Sequence, residues 1–159
     1  MISVLDSFRA AGVELGRPLC LGAVAEAYGQ GGEPETGLVF AAEAVDAMNR
    51  TGQRTWESYL HRVTGDLLLA LSYDNQDPAE ACFREAIDSA RRQSAKSWEL
   101  QAVMGLSRLL HGQGKTGEAR ELLADTHGWF TEGFDTPDLK EAKALLDKLA
   151  RSSGEDLGR

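Results

Sequence analysis

The sequence is poor in aromatic residues, in cysteine and in basic charge, and each shortage closes a class of readings. Aromatics make up 7% of the 159 residues, while Ala and Leu dominate the apolar set, a mixture that favours helix over sheet. The two cysteines, Cys20 and Cys82, lie far apart and outside any metal-ligand spacing. They read as small buried hydrophobes in a reducing cytosol. Lys and Arg number 17 against 25 acids, a formal net charge of −8. A protein that tracks a nucleic-acid backbone needs the reverse balance, and anionic membrane surfaces are disfavoured on the same ground. No stretch approaches 18 apolar residues, so no bilayer-spanning helix is expected. Met1 to Gly12 hold one base and no apolar core region, unlike a signal peptide. The expected location is the cytoplasm. A chain of this length can bury about 70% of the surface its unfolded form exposes, so a core does not require disulfides.

What the chain does have is internal repetition. Thr55-Trp56-Glu57 recurs as Ser97-Trp98-Glu99, 42 residues on. Gly37, Ala41 and Ala44 recur at the same displacement as Ala79, Phe83 and Ala86, and after 40 more residues as Ala119, Leu123 and Thr126. The intervening segments have helical period. Leu21, Val24, Ala25 and Tyr28 mark one face; Leu60, Val63, Leu67, Leu68 and Leu71 mark the next; Val103, Leu106 and Leu110 mark the third. Each segment ends in a breaker, Gly31-Gly32-Glu33-Pro34, Asp74 to Pro78, or Gly112-Gln113-Gly114-Lys115. Asp77-Pro78 and Thr136-Pro137 read as an N-cap followed by proline at the first helical position, and Thr116 as the cap of the helix after it. The expected helices are 2–14, 18–30, 35–50, 56–72, 78–94, 98–111, 117–130 and 137–150, with 151–159 a frayed tail. No segment alternates as a strand does, so the fold class is all-α, a single domain over 1–150.

The small and large residues at these spacings resemble the tetratricopeptide repeat, in which a small residue midway along helix A and an A-x-x-x-F-x-x-A pattern along helix B let the two helices approach closely. Helix A supplies Ala25 with Tyr28, Gly65 with Leu68, and Ser107 with Leu110. The period here is 40–42 rather than 34, and no proline closes helix B. The resemblance implies a right-handed α-α superhelix, a TPR-like solenoid. It would have three helix pairs (18–50, 56–94 and 98–130), helix 2–14 as the half-repeat of an earlier pair, and helix 137–150 as the cap. Glu14 to Pro18, Ala25 to Gln30, His61-Arg62 with Gly65 to Leu69, Ala81 to Ala86 and above all Gly128 to Leu139 resemble the C-terminal repeats of bacterial signalling proteins. In those, a nucleotide cyclase domain and a STAND-type ATPase domain precede such repeats. None of the motifs of either catalytic domain occurs here.

Candidate chemistry is sparse. Gly112-Gln113-Gly114-Lys115-Thr116-Gly117 satisfies G-x-G-x-x-G, but Leu109 stands where a phosphate loop needs its first glycine, and a helix rather than a strand precedes it. It reads as a turn. His61, His111 and His127 have no partner at metal-ligand spacing, and no G-x-S-x-G occurs. No catalytic constellation, metal site or cofactor is expected. Trp129, Phe130 and Phe134 read as the bridge that packs the last pair on its cap, and Trp56 and Trp98 as fillers between pairs.

Function is expected on the outward stripe of the A helices, which lines the concave face of such a superhelix. The stripe reads Leu19, Gly22, Glu26 and Gln30, then Tyr59, Arg62, Asp66 and Leu69, then Gln101, Met104, Arg108 and His111; Glu26, Gln30, Tyr59, Arg62, Asp66, Gln101, Met104 and Arg108 are the expected partner contacts. Tyr and Met supply adaptable apolar area, and Arg can fork onto a carboxylate. The two arginines suggest a basic spot for an acidic or carboxylate-terminated segment. The expected partner is a protein or peptide, other domains of the same polypeptide included, and neither nucleic acid nor membrane. The chain thus reads as a non-catalytic interaction module of a cyclase or ATPase-type signalling protein, with a stand-alone adaptor as the alternative.

Overall fold

The computed structural model describes residues 16–156, and within them the protein is helical with no strand. Seven α-helices follow one another: α1 Arg17–Gln30, α2 Pro34–Thr51, α3 Glu57–Leu71, α4 Gln76–Arg92, α5 Lys96–Gly112, α6 Thr116–Gly128 and α7 Pro137–Asp156. A single 3₁₀ turn, Tyr73–Asn75, joins α3 to α4. The expected helix 2–14 lies outside the described residues.

Consecutive helices pack as antiparallel pairs, α1 with α2, α3 with α4 and α5 with α6. The first members also touch each other along the array: α1 meets α3, α3 meets α5, and α5 meets α7. The second members do not pack in this way: the backbones of α2 and α4 stay apart, as do those of α4 and α6, which one ion pair links, Arg84 with Glu118 at 3.5 Å. Two layers result, an inner one that is continuous and an outer one with gaps. The inner helices α1, α3, α5 and α7 together face one cavity.

The positions that mark the repeat are where the layers meet. Gly37, Ala41 and Ala44, then Ala79, Phe83 and Ala86, then Ala119, Leu123 and Thr126 are all buried. A Cβ at Gly37 would lie 2.8 Å from the Ala25 carbonyl oxygen, so α1 and α2 are too close there for any side chain. The Phe83 ring occupies the slot that Gly65 and Gly105 leave open, and a Cβ on Gly105 would stand 2.6 Å from its Cε1.

The turns within the first and third pairs follow one rule. At the end of α1 the Glu33 N–H reaches the Tyr28 carbonyl with Gly32 at φ +82°; at the end of α5 the Lys115 N–H reaches Leu110 with Gly114 at φ +79°. The same turn ends α4, but Ser94 takes the left-handed position, at φ +54°.

Several expectations need correction. Asp77 is not a cap, because the 3₁₀ turn carries the chain into a helix that begins at Gln76. Thr116 lies inside α6, its hydroxyl 3.0 Å from His111 Nδ1, with Lys115 at the cap position. The Thr136 hydroxyl donates back to the Gly133 carbonyl instead of accepting from α7. Residues 151–156 are not a tail but the last turn and a half of α7, which the buried Leu149 and the Ser152 to Lys148 bond extend. Leu71 is exposed, as its helix ends there. Cys20 and Cys82 are half-buried rather than buried; burial and the neighbouring Glu85 push the Cys82 thiol up. Trp129 and Phe134 do not bridge to the cap, at 58% and 51% exposed. The cap is held by Leu139, Ala142, Leu145 and Leu149 of α7, with Phe130 packed partly beneath.

Candidate functional site

The inner helices bring one face of α1, α3, α5 and α7 around a cavity of about 550 Å³. Gly22 on α1 sets its first wall. A Cβ there would fall 2.7 Å from both Tyr59 Cε1 and Leu60 Cδ2, so only glycine lets the Tyr59 ring lie against α1. The Tyr59 hydroxyl donates to Glu26 Oε2 at 3.0 Å. Arg62, one turn on, donates to Glu26 Oε1 at 2.9 Å and to Asp66 Oδ2 at 2.8 Å, and its guanidinium lies 5.4 Å from the Tyr59 ring centre.

These contacts set the protonation of the wall. Burial and the adjacent Glu26 push the Tyr59 phenol well above its ordinary range. Burial works against the Arg62 charge, but the Glu26 and Asp66 carboxylates raise its pKa above the usual value. Loss of hydration raises the Asp66 carboxyl despite Arg62, with the Glu26 charge acting in the same direction.

Gln101 on α5 donates from Nε2 to Asp138 Oδ2 of α7 at 2.9 Å, and Arg108 pairs with Glu141 of α7. Trp56 and Trp98, at the starts of α3 and α5, lie 5.6 Å apart with their rings tilted by 43°, and both line the cavity. The two tryptophans therefore do fill the space between pairs, and they also present ring surface to the opening.

The structure thus brings together Glu26, Tyr59, Arg62, Asp66, Gln101, Met104 and Arg108. Gln30 lines an adjoining cavity of about 440 Å³ that shares Glu26, Arg62, Asp66 and Glu141 with the first. Met104 is a correction: expected to project outward, it is 3% exposed and forms part of the floor.

The charge of the cavity is a second correction. Neither arginine makes a basic spot, because each is met by a carboxylate from a neighbouring inner helix. Glu26, Asp66, Asp138 and Glu141 face two guanidiniums, a formal excess of two negative charges. Asp138 takes the Gln101 amide and has no ion pair among the described residues.

Trp56, Trp98, Asp138 and Glu141 escaped the stripe read from the sequence. A signal for them existed. The two tryptophans precede Tyr59 and Gln101 by three residues, hence share their helical face. Asp138 and Glu141 stand 40 positions after Trp98 and Gln101, so the repeat continues into the cap helix.

Elsewhere, the Gly112 to Gly117 string is a turn that follows helix α5, with Lys115 exposed. Among the described residues no group of three or more His, Cys, Asp and Glu is placed to hold a metal ion, and no helix is long and apolar enough to cross a membrane. Comparison with protein-family models and with curated proteins gives no match to this chain.

Proposed function

We propose that the protein is a non-catalytic, TPR-like interaction module whose concave face holds a segment of a partner protein. The cavity carries this reading. Seven of the eight expected partner contacts converge on it, and its volume of about 550 Å³ falls within the range of roughly 300–1,000 Å³ over which proteins seat ligands. A right-handed superhelix, with equivalent positions of successive pairs lined up along one surface, is the architecture proposed with it. The larger setting we propose, on the strings resembling bacterial cyclase and ATPase signalling proteins, is the regulatory or sensory repeat region of such a polypeptide acting in the cytoplasm. The partner is then a protein segment, including one from the same polypeptide.

A photo-crosslinking amino acid tests this at two positions, Gln101 on the inner layer and Val39, exposed on α2 in the outer one. Expressed with the adjoining domains of its reading frame, the Gln101 probe is expected to form discrete adducts and the Val39 probe none. Adducts from Val39 alone, or from neither, would overturn the reading.

A further inference from the structure

We infer that the occupant of the cavity is a basic peptide segment, which sets an arginine or lysine head against Asp138 with the Trp56 and Trp98 rings beside it. This rests on the reading above that the concave face holds a partner segment, and it names the chemistry of that segment.

The argument is one of charge and surface. An incoming carboxylate meets cations that already face carboxylates, and the Arg62 Nε–H, which has no partner among the described residues, is buried. Arg62 already holds Glu26 and Asp66, and Arg108 holds Glu141. Binding an acid would add a fifth carboxylate to a cavity whose carboxylates already outnumber its guanidiniums, against like-charge repulsion. An incoming cation meets the opposite situation. Four carboxylates face two guanidiniums, and Asp138 has one neutral partner, the Gln101 amide. That leaves it acceptor capacity for a guanidinium or ammonium group.

The other walls suit a cation too. Trp56 and Trp98 line the space, and a cation is attracted to the face of such rings; the Tyr59 ring already has Arg62 beside it. A bare metal ion is the wrong size of cation for this site, since the carboxylates are distributed around the walls and no set of them is placed to ligate one. The chain as a whole carries −8, so long-range attraction also steers basic segments toward it.

The test uses the full chain and three labelled twelve-residue Gly/Ser peptides that carry three arginines, three citrullines or three glutamates, read by fluorescence anisotropy at low and high salt. The arginine peptide is expected to bind, the citrulline and glutamate peptides to bind at least about tenfold more weakly, and salt to weaken the arginine complex. Asp138→Asn and, independently, Glu141→Gln should each lower its affinity several-fold. Asp125→Asn, which removes the same charge from an exposed position on α6, should leave it within twofold. Circular dichroism confirms that each variant is folded. Equal binding of the three peptides, or equal losses in Asp125→Asn and Asp138→Asn, overturns the inference. So does spermine matching the arginine peptide, since the occupant would then be a small polyamine.

The photo-crosslinker at Gln101 separates the two readings. If the glutamate peptide attaches there as well as the arginine peptide does, the concave face binds segments but not by charge. If no peptide binds or attaches, the inference falls, while the reading above stands or falls on the adducts formed with the adjoining domains.

Discussion

Phe83 is held by what its neighbours lack. Its ring is fully buried in a slot whose two sides are Gly65 on α3 and Gly105 on α5, so one side chain from the outer layer locks two inner helices at their spacing. Phe83→Ala should cost about 3–5 kcal/mol through the space it leaves. Gly105→Ala, whose new methyl would meet the ring at 2.6 Å, should cost about 1–3 kcal/mol. In the Phe83→Ala background the second penalty should largely disappear, because the clashing atom is gone. A urea-denaturation cycle over the four proteins measures this, and simple additivity would show that the two residues do not meet.

Glu99 offers a residue-scale test in pH. It is 3% exposed and accepts from Arg91 and Lys96, each at 2.7 Å. Burial opposes its charge, but the two cations prevail and hold its carboxyl below the ordinary range. The folded state therefore binds the proton less readily than the unfolded one, and the stabilisation is complete above the ordinary carboxylate pKa. It is lost as pH falls through the lower, folded value. Glu99→Gln should cost about 1–3 kcal/mol near neutrality. It should also flatten the fall of the melting temperature below about pH 4.5. A variant as steep in acid as the parent would assign the acid loss to other groups.

At the scale of elements, the turn after α4 is the exception among the three left-handed helix ends described above. Ser94 stands where α1 and α5 end on glycine, and a Cβ in that conformation costs roughly 1–2 kcal/mol. Ser94→Gly should therefore raise stability by about 1 kcal/mol, while Gly114→Ala should lower it by a similar amount, both read from thermal melts. The cap helix gives a companion expectation. Leu149→Ala should cost about 2–5 kcal/mol, since the helix it anchors runs well past residue 150.

Helix positions and their buried faces were legible in the sequence because a 3.6-residue period and the small residues of close packing both leave a pattern there. What did not show was local competition for hydrogen bonds. Thr116 looked like a cap and instead meets His111, and the 3₁₀ turn before Gln76 displaced Asp77 from its expected role. The aromatic residues at the last turn looked like cover for the core, but the hydrophobic face of α7 covers it without Trp129. The site was legible in position and not in sign. The arginines were visible along the stripe together with Glu26 and Asp66, whereas Asp138 and Glu141, which tip the balance to negative, come from α7 and count only once it is packed on α5.

For the whole molecule, the unequal contact of the two layers decides how it can move. Inner helices pack directly on one another, whereas the outer ones stand apart at α2 to α4 and are linked at α4 to α6 by the Arg84–Glu118 ion pair. Spin labels at Val39 and Ala81, on neighbouring outer helices, should give a broader distance distribution than labels at Gln30 and Ala70 on the inner pair. Two equally narrow distributions would mean that the outer layer is as stiff as the inner.

The mechanical behaviour is that of a watch strap laid with its links touching on the inside. Bending it tighter is stopped at once by the inner contacts, while straightening it only narrows the empty spaces on the outside. The cavity should therefore yield to a bulky guest by opening, and it cannot shrink far around a slight one. Its selectivity toward partners is set by a minimum size of what must be held, with no sharp upper bound.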